Sequence, residues 1–307
     1  MASVLLPTRE WTDSCAALAS QLGPGDELLV LCDRPTDPVA RDPPDPADAP
    51  DGSIEVVPTG DPEACSGKAH ALAVGLDRAR DDLVVLTDDD VERDPDWFSR
   101  LVGLAREHGA ASATPVFVGE GLSWLLVEPV MTALGSALIC RYGGAWGGGV
   151  AFERDRLDEA RYRRDLERTV SDDALLWDAL GDVHTTPSFV NVVRVPGDAA
   201  SVRERFTRFV LTYRYWLPRA TLALWALVAG FVALALVAPF VAAGVATAGA
   251  AYAYRYLGLR RRTWLLAFPS VLFLPVFLAS AWLVPSFTWG GRKYRWRGRF
   301  DVAVSDA

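Results

Sequence analysis

Lysine is nearly missing from this chain: Lys68 and Lys293 are the only two in 307 residues, and the other 29 basic residues are arginine. Cysteine and histidine are also scarce. Cys15, Cys32, Cys65 and Cys140 are far apart with no CxxC pair, and His70, His108 and His184 lack ligand spacing. Neither a Cys/His metal module nor a disulfide framework is expected, and the four thiols are read as buried and free in a reducing compartment. No basic region precedes the short apolar stretch Val4-Leu5-Leu6, so no cleavable signal is expected and the soluble part is placed in the cytoplasm. Acidic residues nearly vanish from the last third, where Arg203–Ala307 holds 14 Lys/Arg against 3 Asp/Glu. Charge of either sign is absent from Ala220–Tyr254 and from Thr263–Gly291, runs of 35 and 29 residues. About 20 apolar helical residues suffice to cross a bilayer. A wholly soluble protein is excluded, and so is a nucleic-acid binder, whose basic surface does not sit between membrane segments.

What is abundant is acid in the first two thirds: Met1–Val202 carries 36 Asp/Glu against 17 Lys/Arg. A Lys-poor acidic domain suits a salt-rich cytoplasm, and a GC-rich genome gives the same arginine bias. Short apolar runs at Ser3–Leu6, Glu27–Cys32, Ile54–Val57 and Leu83–Leu86 alternate with helical stretches at Asp13–Leu22 and Lys68–Ala79. This alternation predicts an α/β domain with an open, mainly parallel sheet flanked by helices. Between Pro35 and Asp51 lie six prolines and five aspartates, read as a mobile acidic loop. The stretch Gly121–Cys140 is apolar but contains Glu128 and Pro129, which favours a buried or membrane-surface helix over a crossing one. Arginines and aromatics interleave from Val202 to Trp216, the pattern of an interfacial helix. The expected organisation is a cytoplasmic domain at 1–201, an interfacial amphipathic helix at 202–218, a transmembrane module of two or three helices at 219–290, and a basic tail at 291–307. Pro239 marks a possible hairpin. Arg260–Arg262 and Arg292–Arg299 both read as cytoplasmic, which a single intervening span does not allow.

Ligands of open α/β sheets sit beyond the carboxyl ends of the strands. Pro7-Thr8, Asp33 and Asp88-Asp89-Asp90 all fall there. Carboxylates at i and i+2 suit a hard divalent cation that completes its shell with substrate phosphates, or else form an acidic turn. Ser171-Asp172-Asp173 opens an apolar helical stretch, either as a cap or as the place of a carboxylate base. Gly67-Lys68 begins a helix, where backbone amides and an ammonium can meet phosphate, although no P-loop is present. Gly147-Gly148-Gly149 is a turn that lets backbone approach a ligand, or only a turn.

Taken in order, Pro7-Thr8-Arg9-Glu10, Asp33, Gly67-Lys68-Ala69, Asp88–Asp90, the glycine turn, Ser171–Asp173 and Arg205-Phe206-Thr207-Arg208-Phe209 resemble a family 2 glycosyltransferase. The closer resemblance is to the lipid-modifying, ceramide-glucosyltransferase-like branch with its D, DxD, D, (Q/R)xxRW series. It covers most of residues 3–216, and Tyr294–Phe300 is similar to that branch's cytosolic C-terminus. The resemblance implies a GT-A fold with C-terminal transmembrane helices and a nucleotide-sugar donor, UDP-linked in that branch. It assigns Pro7, Thr8, Glu10, Asp33, Lys68 and Asp88 to the donor nucleotide, and Asp88 and Asp90 to Mg²⁺ or Mn²⁺. Asp173 becomes the catalytic base. Gly148, Gly149, Asp172, Arg205, Arg208 and Phe209 are assigned to the acceptor or diphosphate. Phe209 stands where the series has Trp, and Ala73 where relatives often place Asn. The expected enzyme is an inverting, multi-pass membrane glycosyltransferase with a lipid acceptor (hydroxyl or phosphate) and no nucleic-acid partner. The competing expectations are a processive polysaccharide synthase and a non-catalytic membrane scaffold.

Overall fold

A computed structural model describes residues 1–306. The apolar runs become strands β1 (Ser3–Pro7), β2 (Glu27–Cys32), β3 (Ser53–Pro58) and β4 (Leu83–Thr87), joined through helices α1 (Asp13–Ala19), α2 (Pro38–Arg41) and α3 (Gly67–Arg78). Strand β5 (Val91–Glu92), helix α4 (Trp97–His108), strands β6 (Ala110–Ser112) and β7 (Thr114–Gly119), and helices α5 (Leu122–Val130) and α6 (Ala137–Tyr142) follow. Then come β8 (Gly149–Glu153), α7 (Glu159–Leu166), α8 (Asp172–Leu180), β9 (Val190–Val195) and four long helices: α9 (Ala199–Trp216), α10 (Pro218–Val237), α11 (Pro239–Tyr256) and α12 (Ala267–Leu283). Strands β10 (Ser286–Trp289), β11 (Arg292–Gly298) and β12 (Asp301–Asp306) close the chain.

The main sheet runs β3-β2-β1-β4-β8-β6. Strands β1 to β4 are parallel, whereas β8 is antiparallel to β4 and to β6, so the sheet is mixed beyond its parallel half. Period-2 alternation splits each strand between two cores: Val4, Leu6 and Val30 pack with α1 and α4, while Leu5, Leu29 and Leu31 pack with α3 and α8. Polar residues just past the ends of β1, β2 and β4 share one edge because the three strands are parallel. The antiparallel register sets Thr87 opposite Gly149, which brings the glycine turn beside the aspartate triplet.

The acidic proline-rich segment is ordered around α2 and a 3₁₀ turn at Pro46–Asp48, with Val39 and Ala49 buried. The first helix stops at Ala19, three residues short of the predicted end. Residues 122–142 are helical throughout, but Pro129 removes a backbone donor and the turn beyond it relaxes to a π-helix over Met131–Ser136. This stretch is 56% buried, which matches a helix built into the protein rather than one standing in lipid. Among the described residues, three helical stretches are long and apolar enough to cross a membrane: Leu122–Tyr142, Pro218–Val237 and Thr263–Leu283. Helix α10 is the most exposed of them, with only Thr221 and Val228 buried. The tail predicted as a basic appendage is instead the three-stranded antiparallel sheet β10-β11-β12, which begins at Ser286. All four cysteines are buried and free.

Candidate functional site

A cavity of about 520 Å³ opens beyond the carboxyl edge of the parallel strands. Pro7, Thr8, Glu10, Asp33, Lys68, Asp88, Asp90, Asp172, Asp173, Arg205, Arg208 and Phe209 all line it, brought together from six separate stretches of sequence.

The aspartate triplet divides its work. Asp88 pairs with the Lys68 ammonium at 2.6 Å, and Asp89 accepts the Thr8 hydroxyl at 2.6 Å. Asp90 faces the cavity without such a partner among the described residues. Burial, and then the charges of Asp88 and Asp89, push the Asp90 carboxyl above its ordinary range. The turn is braced from beneath by Arg93, which bonds the Thr87 hydroxyl at 2.6 Å, the Ser14 hydroxyl at 2.7 Å and the carbonyl of Asp88. Burial lowers Arg93 to about 10, still protonated at neutral pH.

Lys68 follows the Ser66 cap of α3 and reaches across to the start of α8, where its ammonium lies 3.0 Å from Asp172. Burial works to deprotonate it, but Asp172, Asp88 and Asp173 outweigh burial and hold it well above the usual lysine range. Asp173 sits in the first turn of α8 under the Ser171 cap and accepts the Gly147 N–H at 2.5 Å. A Cβ on Gly147 would come within 2.6 Å of that carboxylate, closer still to Asp172 and 3.1 Å from the Lys68 nitrogen, so any other residue there would displace these side chains. Burial first, then repulsion by Asp172, raises Asp173 to about 7 against the pull of Lys68. A carboxyl poised near neutrality is suited to proton transfer.

Gly148 and Gly149 do not line the cavity. The Gly148 carbonyl accepts the Thr87 hydroxyl at 3.0 Å and Gly149 begins β8, so the structure gives these two a role in the sheet; Gly147 is not a lining residue either and meets the site only through its N–H to Asp173. Asp33 is in place, but two guanidiniums already hold its carboxylate, Arg9 at 2.5 Å and Arg292 at 2.9 Å.

Arg205 and Arg208 project from α9, each laid on an aromatic ring: Arg205 on Phe117 at 5.2 Å and Arg208 on Trp289 at 4.1 Å. Among the described residues the ion pairs of the cavity run from Arg9, Lys68 and Arg292 to Asp33, Asp88 and Asp172, and neither α9 arginine joins them. Burial lowers both, Arg205 to about 10. Beyond them the wall turns apolar, with Phe117, Met131, Gly135, Ile139, Phe209 and Tyr213. Phe209 packs on Tyr213 at 4.7 Å between ring centres.

Sequence reading did not anticipate Arg93, Trp289, Arg292 and Tyr294. The last three come from the C-terminal sheet: Arg292 also binds Asp61 at 2.7 Å, and the Tyr294 hydroxyl accepts the Gly67 N–H at 3.3 Å. Among the described residues, no group of three or more His, Cys, Asp or Glu is arranged to hold a metal ion unaided.

Residues 15–157 match the family model described as Glycosyl transferase family 2. Similar solved structures include glucosyl-3-phosphoglycerate synthase from Mycobacterium tuberculosis, at 20% identity over 69% of this chain and 79% of that one, with a TM-score of 0.38. They also include residues 1–349 of TarS from S. aureus, at 16% identity over 69% and 64% of the two chains, with a TM-score of 0.42. No curated protein matches the chain.

Proposed function

We propose that this chain, a glycosyltransferase with a family 2 stretch at residues 15–157, transfers a sugar from a nucleotide-sugar donor, UDP-linked by resemblance, to a lipid acceptor at a membrane surface. The observation that carries the lipid reading is the two-ended cavity. One end is built of carboxylates and Lys68, the other of apolar side chains from α6, α9 and the π-helical turn. Leu138 and Tyr142 of α6, the helix that contributes Ile139 to that end, are exposed, so an acyl or prenyl chain can lie along α6 with its polar head among the charges.

Asp173 is the base in this reading. Its free oxygen takes the proton of an acceptor hydroxyl as that oxygen attacks the anomeric carbon, while the nucleoside diphosphate departs from the opposite face with inversion. Arg205 and Arg208 hold phosphate oxygens by charge-assisted hydrogen bonds. Asp88 and Asp90 would hold a divalent cation: they offer hard oxygen donors, and burial and crowding raise the cost of an uncompensated charge on Asp90, while Asp88 already shares its charge with Lys68. Such an ion supplies charge neutralisation of the leaving diphosphate. The sheet topology is in keeping with the GT-A fold that the resemblance implies.

Membrane placement rests on α10 to α12 with the catalytic domain on the cytoplasmic side. Both flanks of α12 are tied to that domain. Before it, Arg261 pairs with buried Glu128 at 2.8 Å; after it, Arg292 pairs with Asp33. Its buried residues Ala267, Ser270, Leu274, Leu278 and Ala281 form one continuous stripe, and Phe277 packs on Phe206 of α9 at 5.1 Å. In this reading α12 lies along α9 at the interface, and α10 enters the membrane with α11, which is not apolar enough to cross on its own, returning beside it as the second arm of a hairpin.

The test is purified chain in lipid nanodiscs given a labelled nucleotide sugar with either a lipid extract or water-soluble acceptors. Label in the lipid product supports the reading; transfer confined to water-soluble acceptors contradicts it.

A further inference from the structure

Strand β10 ends with an indole laid on a guanidinium of the cavity: Cζ of Arg208 lies 4.1 Å from the centre of the Trp289 ring. This is the shorter of the two arginine stacks in the cavity. Among the described residues Arg208 has no carboxylate at ion-pair distance, so no hydrogen-bonded fork fixes its plane. A long side chain without such a fork samples many rotamers, and freezing it at the moment of reaction costs rate. A ring face supplies what is missing, because it attracts the cation and fixes the plane while leaving the N–H edge free for an anion.

Phe209, the neighbour of Arg208, does not fill this role. Its ring is turned toward Tyr213 and toward the position a Cβ on Gly135 would take, 3.5 Å away, so it builds the apolar end. Trp289, by contrast, is itself held. It pairs in register with Arg292, which grips Asp33 and Asp61, and its ring packs against Tyr294, whose hydroxyl accepts the Gly67 N–H. The indole is thus anchored to the same elements that form the donor side of the cavity.

We propose that Trp289 is a positioning residue that holds Arg208 flat for the sugar-transfer step, so that the C-terminal sheet completes the catalytic site rather than serving as an appendage. This rests on the glycosyltransferase reading above, and it adds a role for a strand outside the stretch that matches the family model. It also accounts for tolerance of Phe209, since the aromatic surface that Arg208 needs arrives from another part of the chain.

The test is a double-mutant cycle in the full-length, lipid-reconstituted protein with Trp289→Ala, Trp289→Phe, Arg208→Lys and the Trp289→Ala/Arg208→Lys pair. Two rates are read, lipid glycosylation and acceptor-free hydrolysis of the nucleotide sugar, together with nucleoside diphosphate affinity. Trp289→Ala is expected to lower kcat roughly tenfold, with donor KM and nucleoside diphosphate affinity within about twofold of wild type. Trp289→Phe is expected to recover most of the loss, and Trp289→Ala to cost little more once Arg208 is lysine. Full activity in Trp289→Ala, multiplicative effects in the pair, or equal loss of nucleotide affinity in both Trp289 variants would overturn the proposal. Wild-type hydrolysis without any lipid product would contradict the lipid reading alone, and the cycle is then read on hydrolysis.

Discussion

Asp173 meets two opposing demands: it must be charged to accept a proton, yet it sits buried beside Asp172. Lys68 and the Gly147 amide make that possible and leave the group near 7. Since the folded-state value lies above that of an ordinary carboxyl, the reactive carboxylate form is complete only above it. Turnover is therefore expected to fall as pH drops through about 7, read from the acid limb of kcat. Removing the Lys68 charge, as in Lys68→Met, takes away an influence that lowers Asp173 and moves that limb to higher pH. Asp173→Asn is expected to cost on the order of 10²–10⁴ in kcat with nucleoside diphosphate affinity retained, measured by turnover and titration calorimetry. The placing of these acids at strand ends and at a helix start was legible in the sequence, but their roles came from the resemblance of the whole series, since Ser171-Asp172-Asp173 alone reads equally as a helix cap. Arg93, Trp289 and Arg292 were not legible. An arginine that braces a turn from beneath has no local signature, and Trp289, on strand β10, acquires its role through an arginine on helix α9.

At the scale of elements, the join between α5 and the segment after α11 is a buried carboxylate. Glu128 is 1% exposed and accepts from Arg261, Trp124, Tyr254 and the Thr263 hydroxyl. Removing one partner of such a pair leaves a buried charge without compensation. Arg261→Ala is expected to lower stability by about 3 kcal/mol, seen as a depressed Tm in detergent, while the neighbouring Arg260→Ala changes it little. The π-helical turn after Pro129 makes the apolar end of the cavity. Gly135→Leu would place bulk against the Phe209 ring, so it is expected to block lipid glycosylation while acceptor-free hydrolysis of the donor continues, both followed by product chromatography. The strands of the parallel half were plain in the sequence, since buried β-strands are short apolar runs between turn residues. The antiparallel β8 and β6 were not: Gly149–Glu153 and Ala110–Ser112 carry no mark of direction, and orientation is set by which neighbour they meet. Residues 286–306 alternate faintly and are dense in arginine, so charge masked a sheet whose Tyr294 and Trp296 are buried.

At the scale of the molecule, the acidic first two thirds and the basic last third are interlocked rather than adjacent. Arg292 reaches Asp33 and Asp61, Arg261 reaches Glu128, and Arg205 and Arg208 enter the cavity among acids of the other part. The same contacts bear on topology. With both flanks of α12 tied to the catalytic domain, accessibility reporters at Gly258 and at the C-terminus are expected to label from the same side of sealed vesicles. Labelling from opposite sides would show that α12 crosses and reject its placement along α9 at the interface. The central claim is that a base poised at the start of α8 drives sugar transfer to a lipid. Its most direct test follows labelled nucleotide sugars, supplied as a panel to vesicles holding either the wild-type chain or Asp173→Asn, into the organic extract. The account predicts a discrete glycolipid from wild type that is all but lost in Asp173→Asn. A water-soluble polymer as the sole labelled product, or equal glycolipid from both proteins, would contradict it.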